Sequence, residues 1–132
     1  MYSVSYKHSS SSIGRAVFHL CFIPKYRHKI FYFPKIKRCC LKSFQKTAEK
    51  YGFRILELSF GLDHVHMLVD IGHKHSISQA VQLFKGRSSY ELFRENPWLR
   101  NRSFQKGHFW SPACFYDSVG HSNFEQMAHY IK

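Results

Sequence analysis

The sequence predicts an α+β fold: a ferredoxin-like β-α-β-β-α-β antiparallel sheet with an extra C-terminal helix. Three observations predict it. An apolar run over residues 16–23 suits a strand covered on both faces. Two longer stretches repeat apolar residues at helical spacing. Between those stretches, residues 53–60 and 64–71 read as the two strands of a hairpin. With a short strand near 113–117, the order is strand, helix, strand, strand, helix, strand.

Residues 1–13 are polar and serine-rich and are read as a flexible tail, leaving residues 14–132 as a single domain. The first strand, AVFHLCFI, is apolar apart from His19, and Pro24 ends it. After the loop KYRHK, Pro34 opens a helix. Ile36, Cys40, Phe44, Ala48 and Tyr51 form its apolar stripe, and Gly52 supplies a C-terminal stop. Its other faces carry Lys35, Lys37, Arg38, Lys42, Lys46 and Lys50, a basic surface suited to water or to phosphate. In the hairpin's second strand, Val65, Met67, Val69 and Ile71 share one face; His64, His66, Leu68 and Asp70 share the other. Ser76 and Gln79 form a capping box for the second helix, whose stripe runs through Ile77, Val81, Phe84 and Ser88. Gly86 is unfavourable inside that helix and suggests close approach of another group. Pro97 ends the helix, and residues 100–108 form a basic loop. Ser122 and Glu125 form a second capping box opening the terminal helix. There Phe124, Met127, Ala128 and Ile131 make an apolar stripe with Tyr130 at its edge.

Lysine and arginine number 20 against 8 acidic residues, a formal net charge of +12 that favours a polyanion as partner. Aromatic residues reach 17% and interleave with the basic ones, which favours unpaired bases, whose faces are open to stacking, over duplex. No apolar run is long enough for a membrane helix. The four cysteines, Cys21, Cys39, Cys40 and Cys114, include no C-x-x-C pair and suggest neither a disulfide framework nor a zinc knuckle. Without a secretory signal, a reducing cytoplasm is the expected location.

The H-x-H pair His64 and His66 lies on one strand face, with backbones about 7 Å apart. Two imidazoles there can converge on one divalent ion. If the hairpin loop has an even number of residues, Glu57 sits opposite His66 on the same face, as a third ligand. A carboxylate beside two imidazoles suits Mg²⁺ or Mn²⁺ and leaves positions open for phosphate oxygens; zinc also remains compatible. The same spacing recurs at His73 and His75 in a polar loop, so spacing by itself does not establish a site.

The surrounding sequence adds more. GLDHVHMLVDI resembles the HUH motif of the single-tyrosine transposases of the insertion-sequence 200/605 group. FHLCFIPKYRHKIF resembles the family's first strand and its HLVWCPKYR continuation, and ISQAVQLFKGRSSYELF its second helix. FWSPACFYDSVG resembles the LWSxxYFVxTVG segment, with Cys114 where tyrosine is usual. AHYIK resembles the helix bearing the nucleophilic tyrosine. The resemblance implies that His64 and His66 hold a divalent metal and that Tyr130 attacks a scissile phosphate, leaving a 5′-phosphotyrosine and a free 3′-OH. It implies a single-stranded DNA substrate, with hairpin ends of an insertion sequence recognised as structure. It also implies a homodimer in which active sites are shared between subunits. Lys25, Arg27, Lys85 and Arg87 flank the recognisable segments and are the expected phosphate contacts. The family carries a glutamine ligand four residues after the tyrosine, a position beyond Lys132 here. Glu57 or water takes that place, or the sequence stops short of a natural C-terminus. The competing expectation is a non-catalytic nucleic-acid-binding protein, either a degenerate transposase or an RNA-binding domain on the same sheet; the +12 charge serves both.

Overall fold

The computed structural model describes residues 2–3, 16–102, 104 and 107–119. Its strands are β1 (Tyr2–Ser3), β2 (Val17–Pro24), β3 (Arg54–Phe60), β4 (Val65–Asp70) and β5 (Trp110–Ser118). Its α-helices are α1 (Pro34–Tyr51), α2 (Ile77–Glu95) and α3 (Trp98–Arg102). The strands form one antiparallel sheet in the order β1-β3-β4-β2-β5. From β2 to β5 this is the expected β-α-β-β-α-β arrangement, with β4 at the centre between β2 and β3.

The local signals act as read. Gly52 closes α1 at φ 76°, a left-handed conformation that favours glycine. At the start of α2, the Gln79 N–H donates to Ser76 Oγ and the Ser76 N–H donates to Gln79 Oε1, so both capping-box bonds form. The helices cover one sheet face. Leu20, Phe22, Leu58, Val65, Met67 and Val69 meet Ile36, Cys40, Phe44 and Phe84 in a single core. Phe44 and Phe84 cross edge to face at 5.5 Å between ring centroids, joining α1 to α2. The Trp110 indole N–H donates to Ser88 Oγ at 2.8 Å, and that hydroxyl donates to the Phe84 carbonyl at 2.6 Å, pinning β5 against α2.

Four features differ from the sequence expectations. Tyr2–Ser3, inside the expected tail, pair with Leu58 and Glu57 on the outer edge of β3, whose backbone groups are otherwise available for a strand. The basic loop after Pro97 begins with the short helix α3. The fully buried line of α2 runs through Ala80, Phe84 and Ser88, with Val81 at its margin. Among the described residues outside its own stretch of helix, none approaches Gly86: a Cβ there would meet no such atom within 4 Å. The expected terminal helix lies outside the described residues.

Gly86 therefore costs helix stability without serving the packing of the described residues. Gly86→Ala is expected to raise the unfolding free energy by about 0.5–1 kcal/mol. A urea melt would show this as a higher midpoint at an unchanged slope; a lowered midpoint would contradict it.

Candidate functional site

The site is built on the sheet face opposite α1 and α2. Val65, Met67 and Val69 enter the core. The strand's twofold alternation therefore sends His66 to the other side. His66 stands between Cys21 on β2 and Ser59 on β3. His64 precedes β4, in the loop 61–64. The two imidazoles meet edge to face with centroids 4.8 Å apart, so the structure brings the expected histidine pair together.

The loop makes room for His64 through Gly61. The Gly61 N–H donates to the His64 carbonyl at 2.8 Å, and the His64 ring lies directly over the glycine. A Cβ at position 61 would stand only 2.3 Å from His64 Cε1 and 2.6 Å from Nε2. Glycine is required here for space, since a side chain would displace the ring.

Each imidazole is held through Nδ1. His64 Nδ1–H donates to Asp63 Oδ1 at 2.9 Å. The other carboxylate oxygen, Oδ2, accepts from Arg27 Nε at 3.3 Å. The His64 hydrogen bond, aided by Arg27, keeps the Asp63 carboxyl below its ordinary range. Arg27 sits in a turn where Tyr26 and Arg27 both have positive φ, 60° and 51°. His66 Nδ1 lies 3.2 Å from His19 Nε2, and those rings stack with centroids 5.3 Å apart. Burial lowers the pKa of His66 first, and the neighbouring His64 and His19 lower it further. Burial likewise lowers that of His19, against the opposing pull of Asp117. A lowered pKa keeps the His66 imidazole neutral at neutral pH, the form that binds metals. Cys21, across from His66, has its thiol pushed up by burial and so stays protonated.

Glu57 is not opposite His66. The four-residue loop closes on the pair Phe60 and Val65, which sets Ser59 across from His66 and Glu57 across from Leu68. Glu57 shares the histidine face but sits one pair further along, on the diagonal, buried between Leu68 and Ser3 on the adjacent strands. Asp70, on the same face, is engaged by Arg54 at 2.9 Å and by the Gly72 N–H at 3.0 Å. Among the described residues, no group of three or more histidine, cysteine, aspartate or glutamate side chains is arranged to hold a metal. The donors fit an ion held by two imidazoles, with its remaining ligands from elsewhere.

The expected phosphate contacts separate. Arg27 remains 64% exposed beyond its bond to Asp63, and Lys25 lies nearby with Nζ over the Tyr26 ring. Lys85 instead turns inward: its ammonium donates to the carbonyls of Ser111, Pro112 and Ala113, holding the start of β5. Lys85 and Gly86 line a cleft of about 250 Å³ with Ser89, His108 and Trp110. The Arg87 Nε is buried with no hydrogen-bond partner among the described residues. Most phenylalanines are core, while Tyr26, Tyr32, Phe115 and Tyr116 are exposed. Tyr130 lies outside the described residues. Sequence reading missed Asp63 and His19 as parts of the site. Asp63 adjoins His64 and could have been noticed. His19 was visible only as the polar exception in an apolar strand.

A family described as "Transposase IS200 like" matches residues 12–132. The transposases for insertion sequence element IS200 of Salmonella typhimurium strain LT2 and of Salmonella typhi are each 35% identical over 115 residues. That match spans 87% of this chain and 74% of each relative. Among solved structures, a protein from Deinococcus radiodurans R1 assigned as a transposase superposes with a TM-score of 0.73 at 24% identity. It covers 96% of this chain and 95% of that one. A REP-associated tyrosine transposase bound to a REP hairpin superposes with a TM-score of 0.66 at 11% identity, covering 97% of this chain and 70% of that one. At these identities the two structures show the fold.

Proposed function

The chain belongs to the IS200-like transposase family, and from that premise we propose that it cleaves and rejoins single-stranded DNA at the hairpin ends of an insertion sequence. The observation that carries this reading is the convergent pair His64 and His66 on the sheet face away from α1 and α2. In the proposed reaction, the Tyr130 hydroxyl attacks the scissile phosphorus. A bond forms from the tyrosine oxygen to phosphorus as the hydroxyl gives up its proton, the bond to the 3′ oxygen breaks, and that oxygen takes up one proton and leaves as a 3′-OH. The 5′ end stays on Tyr130 as a phosphodiester. A 3′-OH can attack it in the reverse sense, so rejoining needs no separate energy source.

His64 and His66 would hold a divalent ion, Mg²⁺ or Mn²⁺, and Glu57, on the same face at the diagonal position, is proposed to add negative charge near it rather than a direct bond. When bound, such an ion supplies polarisation of a phosphate oxygen. Arg27, bonded to Asp63 next to His64, and Lys25 in the same turn are proposed to hold the phosphate backbone, with Arg87 on α2 as a further contact. Lys85 is proposed to act indirectly, through the position of β5. The exposed rings of Tyr26, Tyr32 and Phe115 suit stacking on unpaired bases. We further propose a homodimer in which Tyr130 of one subunit serves the histidines of the other, acting in a prokaryotic cytoplasm.

The test is a labelled single-stranded oligonucleotide carrying a hairpin end, incubated with the protein and Mn²⁺ and run on a denaturing gel. The expected result is a covalent protein–DNA band that protease collapses, beside a fragment ending in 3′-OH. The same oligonucleotide should bind more tightly than the matching duplex, with steep salt dependence. Equal affinity for both forms with no covalent band would leave only a general nucleic-acid binder.

A further inference from the structure

Two histidines on a strand can present either ring nitrogen to an ion, and a wrong tautomer places a proton where the metal should be. Partners of the metal-ligating imidazole normally decide this by accepting from its other nitrogen. Both Nδ1 atoms here already have such partners. A carboxylate only accepts, so Asp63 Oδ1 at 2.9 Å requires the proton of His64 to be on Nδ1. Arg27 fixes that carboxylate from its other oxygen. Gly61 leaves the space in which the ring settles. The second contact, His19 Nε2 to His66 Nδ1 at 3.2 Å, allows the proton on either ring. His19 comes from β2, a strand 47 residues away in sequence, and stacks on His66 at an interplanar angle of 21°.

We propose that Asp63 and His19 are positioning residues that hold His64 and His66 as Nδ1–H tautomers and aim both Nε2 atoms at one divalent ion. In the metal-ready arrangement, His66 Nδ1–H donates to His19 Nε2, and the His19 proton is on Nδ1. The proposal rests on the reading of His64 and His66 as metal ligands. Its first readout is independent of metal.

The experiment uses the full chain with ¹⁵N-labelled histidine and no added metal, at a pH where the imidazoles are neutral. The ring nitrogen shifts of His64 and His66 are expected to report Nδ1–H for both; Nε2–H for His66 would overturn the role of His19. Calorimetry with Mn²⁺ follows. His19→Phe keeps a stacked ring but removes the acceptor, and is expected to weaken Mn²⁺ binding by about 10- to 100-fold. His19→Gln restores an acceptor and is expected to recover part of it. Asp63→Ala should weaken binding over the same range, while Asp63→Asn, which keeps one accepting oxygen, should preserve the His64 tautomer. Amide spectra identify any variant that fails to fold, in which case the Gln and Asn variants carry the comparison. Unchanged affinity and tautomers in folded His19→Phe and Asp63→Ala would overturn the proposal. If parent tautomers are as expected but His64→Ala with His66→Ala leaves Mn²⁺ binding unchanged, the metal reading fails and this proposal falls with it.

Discussion

Replacing Tyr130 with phenylalanine is expected to abolish strand cleavage while folding, metal binding and DNA binding persist. The substitution removes one hydroxyl oxygen and keeps the aromatic ring. Loss of a covalent nucleophile lowers turnover by factors on the order of 10⁶, so no covalent band should survive. The measurement is the denaturing gel with labelled oligonucleotide, paired with an equilibrium binding curve for the same DNA. Cleavage by Tyr130→Phe would move the nucleophile elsewhere, with Tyr116 on β5, exposed and within the described residues, as the first alternative. Mixing Tyr130→Phe subunits with His64→Ala subunits then tests the shared site. In a mixed dimer with crossed helices, one site receives both defects and the other neither, so cleavage returns. No recovery after confirmed subunit exchange would favour sites formed within one chain.

The second large effect concerns the histidine pair. His64→Ala combined with His66→Ala removes both imidazoles from the sheet face and is expected to eliminate Mn²⁺ binding measured by calorimetry. Cleavage should fall below detection with it, because no other cluster of metal-binding side chains exists among the described residues to substitute. Stability should change little. Neither side chain belongs to the apolar core, and Asp63 keeps its bond from Arg27. Unchanged metal affinity would remove the metal from these residues. Glu57→Ala is the informative companion. Glu57 lies across from Leu68, so its loss is expected to weaken Mn²⁺ binding less than loss of either histidine. An equal loss would show that the carboxylate reaches the ion in spite of its diagonal position.

The sequence by itself determined what depends on near neighbours. The capping box at Ser76, the left-handed stop at Gly52 and the alternation in VHMLVD are each set within a few residues. They produced the element order and the face of His66; His64 meets it from the loop before β4. Tertiary structure decided what depends on residues that meet from afar. The pairing of Phe60 with Val65 fixed the hairpin register, and so moved Glu57 from His66 to Leu68; parity predicted the face but not the partner. The β5 carbonyls claimed Lys85, a lysine that looked free for phosphate. His19 reached His66 only because β2 pairs with β4, and no pattern within β2 announces that neighbour. The physical reason is common to these cases. Backbone geometry repeats over two or four residues and can be read along the chain, whereas a cross-strand contact depends on a loop closure and a sheet order that no local pattern contains.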